Sequence, residues 1–292
     1  MEALHALVDR LERDSSLRQP ERLRERVDAL DRLEHWLGTP ASSGADSVLD
    51  ARSLGRVESL CAGWEAINQR LFEAIRHEIR RGAGAEAMRA WAPATHSATP
   101  ALEADGDRYD HLDALLSGIL QLEEPASEPA ELDADMVFYQ PTPARRIFEL
   151  IARTGLAERD VLVDLGSGLG HVPLLAAICT QARCVGIELE AAYVDCAARC
   201  AESLGLANAR FVQQDARDAD LSTGTVFYLY TPFVGAMLGD MLARLRNEAD
   251  AREIRIATLG PCTPIVAREP WLRSADTPKT DRLVLFRNRA PA

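Results

Sequence analysis

Apolar residues recur every three or four positions along residues 1–122, so this part of the chain is predicted to be helical. The apolar positions form three faces, which are Leu4, Leu7, Val8 and Leu11; Leu23, Val27, Leu30 and Leu37; and Val57, Leu60, Cys61, Trp64, Ile67, Leu71, Ile75 and Ile79. Glycine-containing breaks at 38–44 and 82–84 interrupt the pattern, and a last helix is predicted at 109–122. We therefore predict an all-α N-terminal domain over residues 1–122.

The pattern changes after residue 136, where short apolar runs alternate with amphipathic stretches. Strands are predicted at 161–163, 184–188, 209–212, 225–230 and 253–259, and helices at 144–153, 191–204 and 233–245. Residues 282–287 are predicted as a terminal antiparallel strand, and 261–280 as a loop or hairpin arm with Trp271 packed on the core. Strand and helix in alternation indicate an α/β fold. We predict a Rossmann-like, mostly parallel sheet over residues 136–292.

A proline- and glutamate-rich segment, residues 123–135, separates the two predicted domains and is typical of a linker. Between Arg108 and Arg145 there are eight acidic residues and no lysine or arginine. One interpretation is a solvated connector. The other is a segment that attracts a basic substrate, since it leads directly into the second domain.

A glycine-rich turn follows the first predicted strand. Asp164 ends the strand, and Gly166, Ser167, Gly168 and Gly170 come next, so backbone amides can approach a ligand closely. The spacing is not the G-x-G-x-x-G of dinucleotide sites, and no G-K-[ST] of a P-loop follows. A carboxylate at Asp164 would repel a diphosphate and attract the ammonium and sulfonium groups of S-adenosyl-L-methionine. We expect that cofactor, with an ordinary glycine turn as the alternative.

Acidic residues follow the next two strands. Glu188, with Leu189 beside it, is the predicted ligand of the ribose hydroxyls, and Asp215, with Ala216 beside it, is the predicted acceptor for the adenine amino group. A turn cap is the alternative role of Asp215. Because the carboxyl ends of parallel strands share one edge of a sheet, these residues are expected to line one pocket.

His171 begins the helix after the glycines. It is a candidate for lining the methyl pocket or for acting as a base, and packing is the competing interpretation, since a helix N-terminus disfavours a protonated imidazole.

From Met136 to its end the chain resembles the class I S-adenosylmethionine-dependent methyltransferases. The segment Phe138-Tyr139-Gln140-Pro141-Thr142-Pro143, followed by Asp-Leu-Gly-Ser-Gly-Leu-Gly, is similar to that of two groups. These are the non-SET histone-lysine methyltransferases known from telomeric silencing, and the ATP-synthase c-subunit lysine methyltransferases with their bacterial relatives. The resemblance implies that Tyr139, Gln140 and Thr142 form a lid over the methionine portion of the cofactor. Pro141 stands where the histone group has a glutamate, which affects the identity of the acceptor more than that of the cofactor.

The turn after the fourth strand resembles a shortened Asn-Pro-Pro-Tyr turn of amide and amine methyltransferases. The resemblance implies that Tyr230, Thr231, Pro232 and Phe233 orient the acceptor nitrogen. The alternative is that Pro232 occupies the first turn of the following helix, where proline is favoured, and that Phe233 belongs to the core.

Composition limits the remaining possibilities. A net charge of −12 and a pI near 5.1 make nucleic acid an unlikely partner. The six cysteines lack metal-binding spacing, so we expect neither a metal nor disulfides. No signal peptide and no run of 18 apolar residues is found, so we expect a cytoplasmic protein that does not contact a membrane.

The sequence therefore predicts a methyltransferase that N-methylates a protein amine, with lysine implied by the resemblance, through direct in-line displacement. Methylation of a small natural product and a cofactor-binding scaffold without turnover are the alternatives. The partner is accordingly a protein or small-molecule methyl acceptor. The helical domain is predicted to be a cap that covers the cofactor cleft or mediates homodimerisation, and an autonomous recognition bundle is its alternative role.

Overall fold

The computed structural model of the chain describes residues 2–38, 51–92, 109–123, 125, 140–230 and 235–288. Its contacts divide the chain into a helical unit, Met1–His77 with Tyr109–Ile119, and a sheet unit, Glu78–Arg108 with Leu120–Ala292. The break at 39–44, most of the linker, Tyr139 and the run 231–233 lie outside the described residues. The predicted boundaries at 122 and 136, the cap and the homodimer stay predictions.

The predicted helices of the first part of the chain are confirmed. They are α1 (Glu2–Arg13), α2 (Leu23–Gly38), α3 (Ala51–Arg80), α4 (Gly84–Arg89) and α5 (His111–Leu120), with short 3₁₀ helices at Ser15–Arg18 and Pro20–Arg22. Leu4, Val8, Leu33 and Trp64 are among the side chains that form the core of the helical unit. The predicted break at 82–84 separates α3 from α4.

The buried face of α2 differs from the one predicted. Val27 and Leu30 are only half-buried, whereas Arg26 is fully buried between Leu23 and Ala29. The Arg26 guanidinium donates to Asn68 Oδ1 (2.6 Å), and to the carbonyl oxygens of Leu17 (3.1 Å), Gln19 and Pro20 (2.8 Å). These bonds hold Arg26 in the interior and fix the chain that joins α1 to α2. Arg26 therefore belongs to the buried face of α2.

A glycine is required where α5 crosses α3 within the helical unit. A Cβ built at Gly118 would overlap the ring of Phe72, so only glycine lets the helices approach this closely.

The sheet unit contains the predicted α/β elements with small changes in their bounds. In chain order they are α6 (Ala144–Thr154), β1 (Val161–Leu165), α7 (His171–Cys179), β2 (Arg183–Glu188), α8 (Ala191–Leu204), β3 (Ala209–Gln213), β4 (Val226–Tyr230), α9 (Gly235–Ala251), β5 (Arg255–Leu259), α10 (Thr263–Val266), β6 (Leu272–Arg273) and β7 (Val284–Asn288). Helix α9 runs beyond the predicted residue 245, because Leu245 and Ala249 continue its buried face.

The seven strands form one sheet in the order β3-β2-β1-β4-β5-β7-β6, which confirms the predicted Rossmann-like class. Strands β1 to β5 are parallel, and β7 is antiparallel to β5 and β6. The chain order reverses beside β1, which has β2 on one side and β4 on the other. Ligands of open α/β sheets bind at such a switch point, outside the carboxyl ends of the strands.

The segment 261–280 was predicted to be a loop or a hairpin arm, and the structure shows a hairpin arm. It contains the short helix α10 and leads into β6, which pairs with β7. Trp271 is half-buried against the sheet core, and its indole Nε1 donates to Glu269 Oε2 at 2.7 Å. The predicted packing of Trp271 is confirmed.

Candidate functional site

The glycine turn is anchored to the end of the neighbouring strand. The amides of Gly166 and Ser167 both donate to the carbonyl oxygen of Ile187, at 2.9 and 3.0 Å. Gly166, Gly168 and Gly170 have φ values of +82°, +51° and +81°, which L side chains rarely adopt. The sequence therefore needs glycine at these positions to bring the turn across the ends of β1 and β2.

The ring of Phe211 in β3 supports the turn from below. A Cβ at Gly170 would lie 2.5 Å from this ring, and one at Gly186 would lie 2.6 Å from both the ring and Ser167 Oγ. Ser167 Oγ is buried and has no hydrogen-bond partner among the described residues. The glycine turn is thus closely packed against the protein interior. Phe211 supports it and was not among the predicted site residues.

Glu188 faces the turn at the carboxyl end of β2. Its carboxylate accepts hydrogen bonds from the amides of Gly168 (2.8 Å), Leu189 (2.7 Å) and Glu190 (3.0 Å). These bonds orient the side chain at the position where a ribose is expected. Leu189 beside it is 41% exposed, so its side chain is accessible to a ligand at this edge.

Asp164 is the electrostatically unusual group of the site. Its side chain is only 4% exposed, and no residue in the described ranges donates a hydrogen bond to it. Burial raises the pKa of Asp164 well above its ordinary value, and the negative charge of Glu188 raises it further. A buried carboxyl group without a donor fits a cationic ligand, because a cation would stabilise its ionised form. The residues of this edge therefore fit the ammonium end of S-adenosylmethionine.

A buried hydroxyl pair lies beside Asp164. Thr142, which is 7% exposed, and Tyr228 are joined by a hydrogen bond of 3.1 Å between Oγ1 and the phenol oxygen. Tyr228 is paired with Asp164 across β4 and β1, so the two share one part of the sheet. Gln140 is exposed, and Tyr139 lies outside the described residues.

Tyr228 was not among the predicted site residues. The signal available was a tyrosine inside an otherwise apolar strand, where a buried hydroxyl needs a partner.

Asp215 has a local partner that the sequence analysis did not identify. Its carboxylate accepts two bonds from Arg217 Nε, one from Arg217 Nη2 (2.6 Å) and one from the Arg217 amide (2.8 Å). These bonds lower the pKa of Asp215, the side-chain bond with Arg217 contributing most. Asp215 thus caps a turn, which is the alternative role predicted for it. Ala216 beside it is buried. A carboxylate has about four acceptor sites, so contact with an adenine amino group is compatible with this pairing.

His171 begins α7, and burial lowers its pKa to about 4. The imidazole is therefore neutral at physiological pH. Tyr230 ends β4 on the same edge as Glu188, whereas Thr231, Pro232 and Phe233 fall outside the described residues. The acceptor side of the site consequently stays a prediction.

The cysteines have structural surroundings. Cys196 and Cys200 are buried on α8, and their thiols donate to the carbonyl oxygens of Glu123 (3.4 Å) and Leu120 (3.2 Å). Among the described residues, no group of histidine, cysteine, aspartate and glutamate side chains could hold a metal ion. None of the helices in these ranges has the length and apolar character needed to cross a membrane.

Comparison with known protein families decides the class of the enzyme. Residues 136–215, from the segment before α6 to Asp215, match the sequence model of the family described as histone methylation protein DOT1. The match contains the glycine turn, Asp164 and Glu188, and it lies on a sheet of the class I order. The chain is an S-adenosylmethionine-dependent methyltransferase. Its matched segment is less than a third of the chain, and a search of curated proteins finds no significant match.

Several solved structures resemble part of this methyltransferase. An RNA methyltransferase from Salinibacter ruber, in complex with S-adenosyl-L-homocysteine, is 27% identical with a TM-score of 0.41, over 52% of this chain and 94% of its own. A methyltransferase from Geobacter sulfurreducens is 18% identical with a TM-score of 0.38, over 48% and 75%. The geranyl diphosphate C-methyltransferase of Streptomyces coelicolor A3(2) is 23% identical with a TM-score of 0.33, over 40% and 45%. At these scores the likenesses do not identify the acceptor.

Proposed function

We propose that this methyltransferase modifies a lysine side chain of a basic protein. The observation that carries the proposal is the distribution of charge. Residues 136–292 contain 18 basic and 18 acidic residues, whereas residues 103–135 contain eleven acidic residues and one arginine. The acidic stretch ends directly before the segment that leads into the cofactor site, so it would concentrate a cationic acceptor there. The match to a family described by histone methylation supports the same class of acceptor.

The residues of the sheet edge have separate roles in this proposal. Asp164 holds the ammonium group of the cofactor, Glu188 holds its ribose hydroxyls, and Asp215 accepts from its adenine, with Leu189 and Ala216 as apolar contacts. The amides and close packing of Gly166, Ser167, Gly168 and Gly170 fit a ligand that lies against the backbone. When bound, S-adenosylmethionine supplies an electrophilic methyl group on a sulfonium.

The segment before α6 covers one end of this pocket in the proposal. Tyr139, Gln140 and Thr142 form the lid, and the bond from Thr142 to Tyr228 anchors it. Holding the reactants in line and excluding water supply several kcal/mol of barrier reduction, so few acid or base groups are needed.

The acceptor nitrogen must be uncharged before it can attack. His171 is a weak base, because its pKa is about 4, and it would hardly remove a proton from an ammonium group. Enclosure instead lowers the pKa of the lysine itself, since a desolvated ammonium loses its proton more readily. Tyr230, Thr231, Pro232 and Phe233 would then orient the neutral amine.

The test measures methyl transfer from radiolabelled S-adenosylmethionine to a lysine-rich protein, to the same protein with its lysines replaced by arginine, and to a protein-free metabolite extract. Label only in the lysine-containing protein supports the proposal. Label in the extract alone would assign a small-molecule acceptor, and cofactor binding without label anywhere would indicate a scaffold.

A charge variant tests the acidic stretch. Six linker acids are replaced by their amides: Glu123, Glu124, Glu128, Glu131, Asp133 and Asp135. The matched control neutralises six exposed acids of the sheet unit: Glu158, Asp195, Glu202, Asp218, Asp220 and Asp240. We expect the linker variant to raise the KM for the protein acceptor roughly tenfold at low salt, with an unchanged KM for the cofactor. Equal effects of the two variants would remove the charge argument.

A further inference from the structure

The helical unit contains a pocket that is lined by none of the residues assigned to methyl transfer. It has a volume of about 470 Å³ and lies between the end of α1, the 3₁₀ helix Ser15–Arg18 and the first turns of α3. Three of the residues that line it are arginines, Arg18, Arg52 and Arg56, and one is an acid, Glu12. Sites for small ligands have volumes of roughly 300–1,000 Å³, so this pocket has a suitable size.

The acid of the pocket is already paired. Arg56 donates from Nε and Nη2 to the two Glu12 oxygens, at 3.0 and 2.6 Å, and from Nη2 to Asp9 Oδ1 at 2.5 Å. The hydrogen bonds to Arg56 lower the pKa of both carboxyl groups. Glu12 therefore does not leave an uncompensated negative charge in the pocket, and its bonds fix the Arg56 guanidinium at the wall.

The other two arginines supply positive charge without compensation. Neither Arg18 nor Arg52 forms an ion pair or a side-chain hydrogen bond with any of the residues that the structure describes. This is notable because acidic residues outnumber basic ones in residues 1–135, by 27 to 15. Two unpaired guanidinium groups at one pocket in an acidic part of the chain indicate a site for an anion.

The face of α3 is shaped to admit such a ligand. Arg52, Gly55, Arg56 and Ser59 have the spacing of one helix face, and all four line the pocket. A Cβ at Gly55 would meet no atom within 4 Å, so the glycine leaves open space between the two arginines. Ser59 adds a hydroxyl that can donate to an oxyanion.

We propose that this pocket binds a phosphate-bearing small molecule. Guanidinium groups bind phosphate through paired hydrogen bonds, and a phosphate monoester carries more negative charge at neutral pH than a carboxylate. The pocket volume leaves room for a sugar or nucleoside beyond the phosphate. The proposal concerns the helical unit alone and does not depend on the identity of the methyl acceptor.

Isothermal titration calorimetry on the full chain tests this site. The protein is first saturated with S-adenosylhomocysteine, which removes binding at the cofactor site. Uridine diphosphate, uridine and inorganic phosphate are then titrated separately at low salt. We expect heat with uridine diphosphate and none with uridine. Tighter binding of the nucleotide than of phosphate identifies a phosphate ester as the ligand, and equal affinity identifies the free anion.

Two variants connect the heat to the pocket. The change Arg18→Gln with Arg52→Gln should weaken binding at least tenfold, whereas Arg32→Gln with Arg70→Gln, which removes the same charge from exposed positions elsewhere in the unit, should have little effect. Gly55→Leu keeps every charge and fills the open space, so it should abolish binding while the chain stays folded. No heat with either phosphate compound, or equal affinity in all variants, overturns the proposal.

Discussion

Replacing Asp164 by asparagine should weaken cofactor binding and stabilise the free enzyme. In the free protein this buried carboxyl group has no hydrogen-bond donor among the described residues, and burial and Glu188 raise its pKa. A bound ammonium group favours the ionised form instead. Below the raised pKa, binding must therefore release a proton from Asp164.

The size of the binding effect follows from the lost ion pair. A hydrogen bond to a charged group contributes about 1.5–3 kcal/mol, which corresponds to roughly a 10- to 150-fold loss of affinity. S-adenosylhomocysteine is the appropriate probe, because it has the ammonium group but no sulfonium charge. Measurements below pH 7 keep its amino group protonated, since α-amino groups have pKa values of about 7.7–8.0.

Stability should change in the opposite direction. A carboxyl group whose pKa is raised on folding binds more protons in the native state than in the unfolded state, between the two pKa values. Asp164 therefore contributes stability that is complete below its unfolded pKa and is lost as the pH rises through its folded pKa. Asp164→Asn removes this loss, so its free energy of unfolding should exceed that of the wild type by about 1–3 kcal/mol at high pH.

Two assays test these effects together. Calorimetry of S-adenosylhomocysteine binding in two buffers of different ionisation enthalpy counts the released protons, and denaturant unfolding over a pH series gives the stability. The control is Asp218→Asn, which removes an exposed carboxylate from the same unit. Unchanged affinity, absence of proton release, or a variant less stable than the wild type at every pH would refute the reasoning.

Three further changes test other parts of the structure. Gly170→Ala should destabilise the protein by about 1–3 kcal/mol and weaken cofactor binding, because Gly170 has φ +81° and a Cβ there would meet Phe211. The control is Gly155→Ala, whose Cβ would meet no atom within 4 Å and which should keep the affinity for S-adenosylhomocysteine in calorimetry. His171→Gln should remove a loss of stability that the wild type shows as the pH falls from about 6.5 towards the folded pKa of about 4, measured by urea unfolding. Arg26→Met should lower the free energy of unfolding by about 2–5 kcal/mol, since two buried acceptors, Asn68 Oδ1 and the Leu17 carbonyl, lose their donor at roughly 1–3 kcal/mol each; a loss below 1 kcal/mol in guanidinium unfolding would contradict this.

The sheet and the glycine turn could be predicted because their signals are local in the sequence. Residues 161–163, which begin β1, are all apolar, and the whole strand is buried, which is typical of parallel strands covered on both faces. The turn needs glycine at Gly166, Gly168 and Gly170 for backbone reasons, and this requirement is visible without knowledge of distant residues. The order of the strands was not predicted, because the rule for right-handed crossovers limits the possible topologies without selecting one of them.

The features that escaped prediction depend on pairs of residues distant in sequence or on unusual burial. Thr142 and Tyr228 are 86 residues apart, and nothing near either one in the sequence indicates the other. Arg26 is charged and was left out of the predicted apolar face of α2, because the carbonyl groups that compensate its burial come from a turn whose path the sequence does not specify. The pairing of Asp215 with Arg217 is local in sequence, but the motif indicated a ligand-binding role for Asp215, so Arg217 was not predicted as its partner.

Asp164 and Glu188, the two carboxylates at this edge of the sheet, differ in the hydrogen bonds that they receive. Glu188 receives three backbone hydrogen bonds, whereas Asp164 receives none among the described residues and is further disfavoured as an anion by the charge of Glu188. Repacking Asp164 as an apolar residue would relieve the free protein, so folding alone gives no reason for an acid at this position. A cation bound at the edge removes both penalties at once, since it pairs with Asp164 and offsets the field of Glu188. A positively charged ligand at this edge would therefore take the place of the proton that neutralises Asp164 in the free protein.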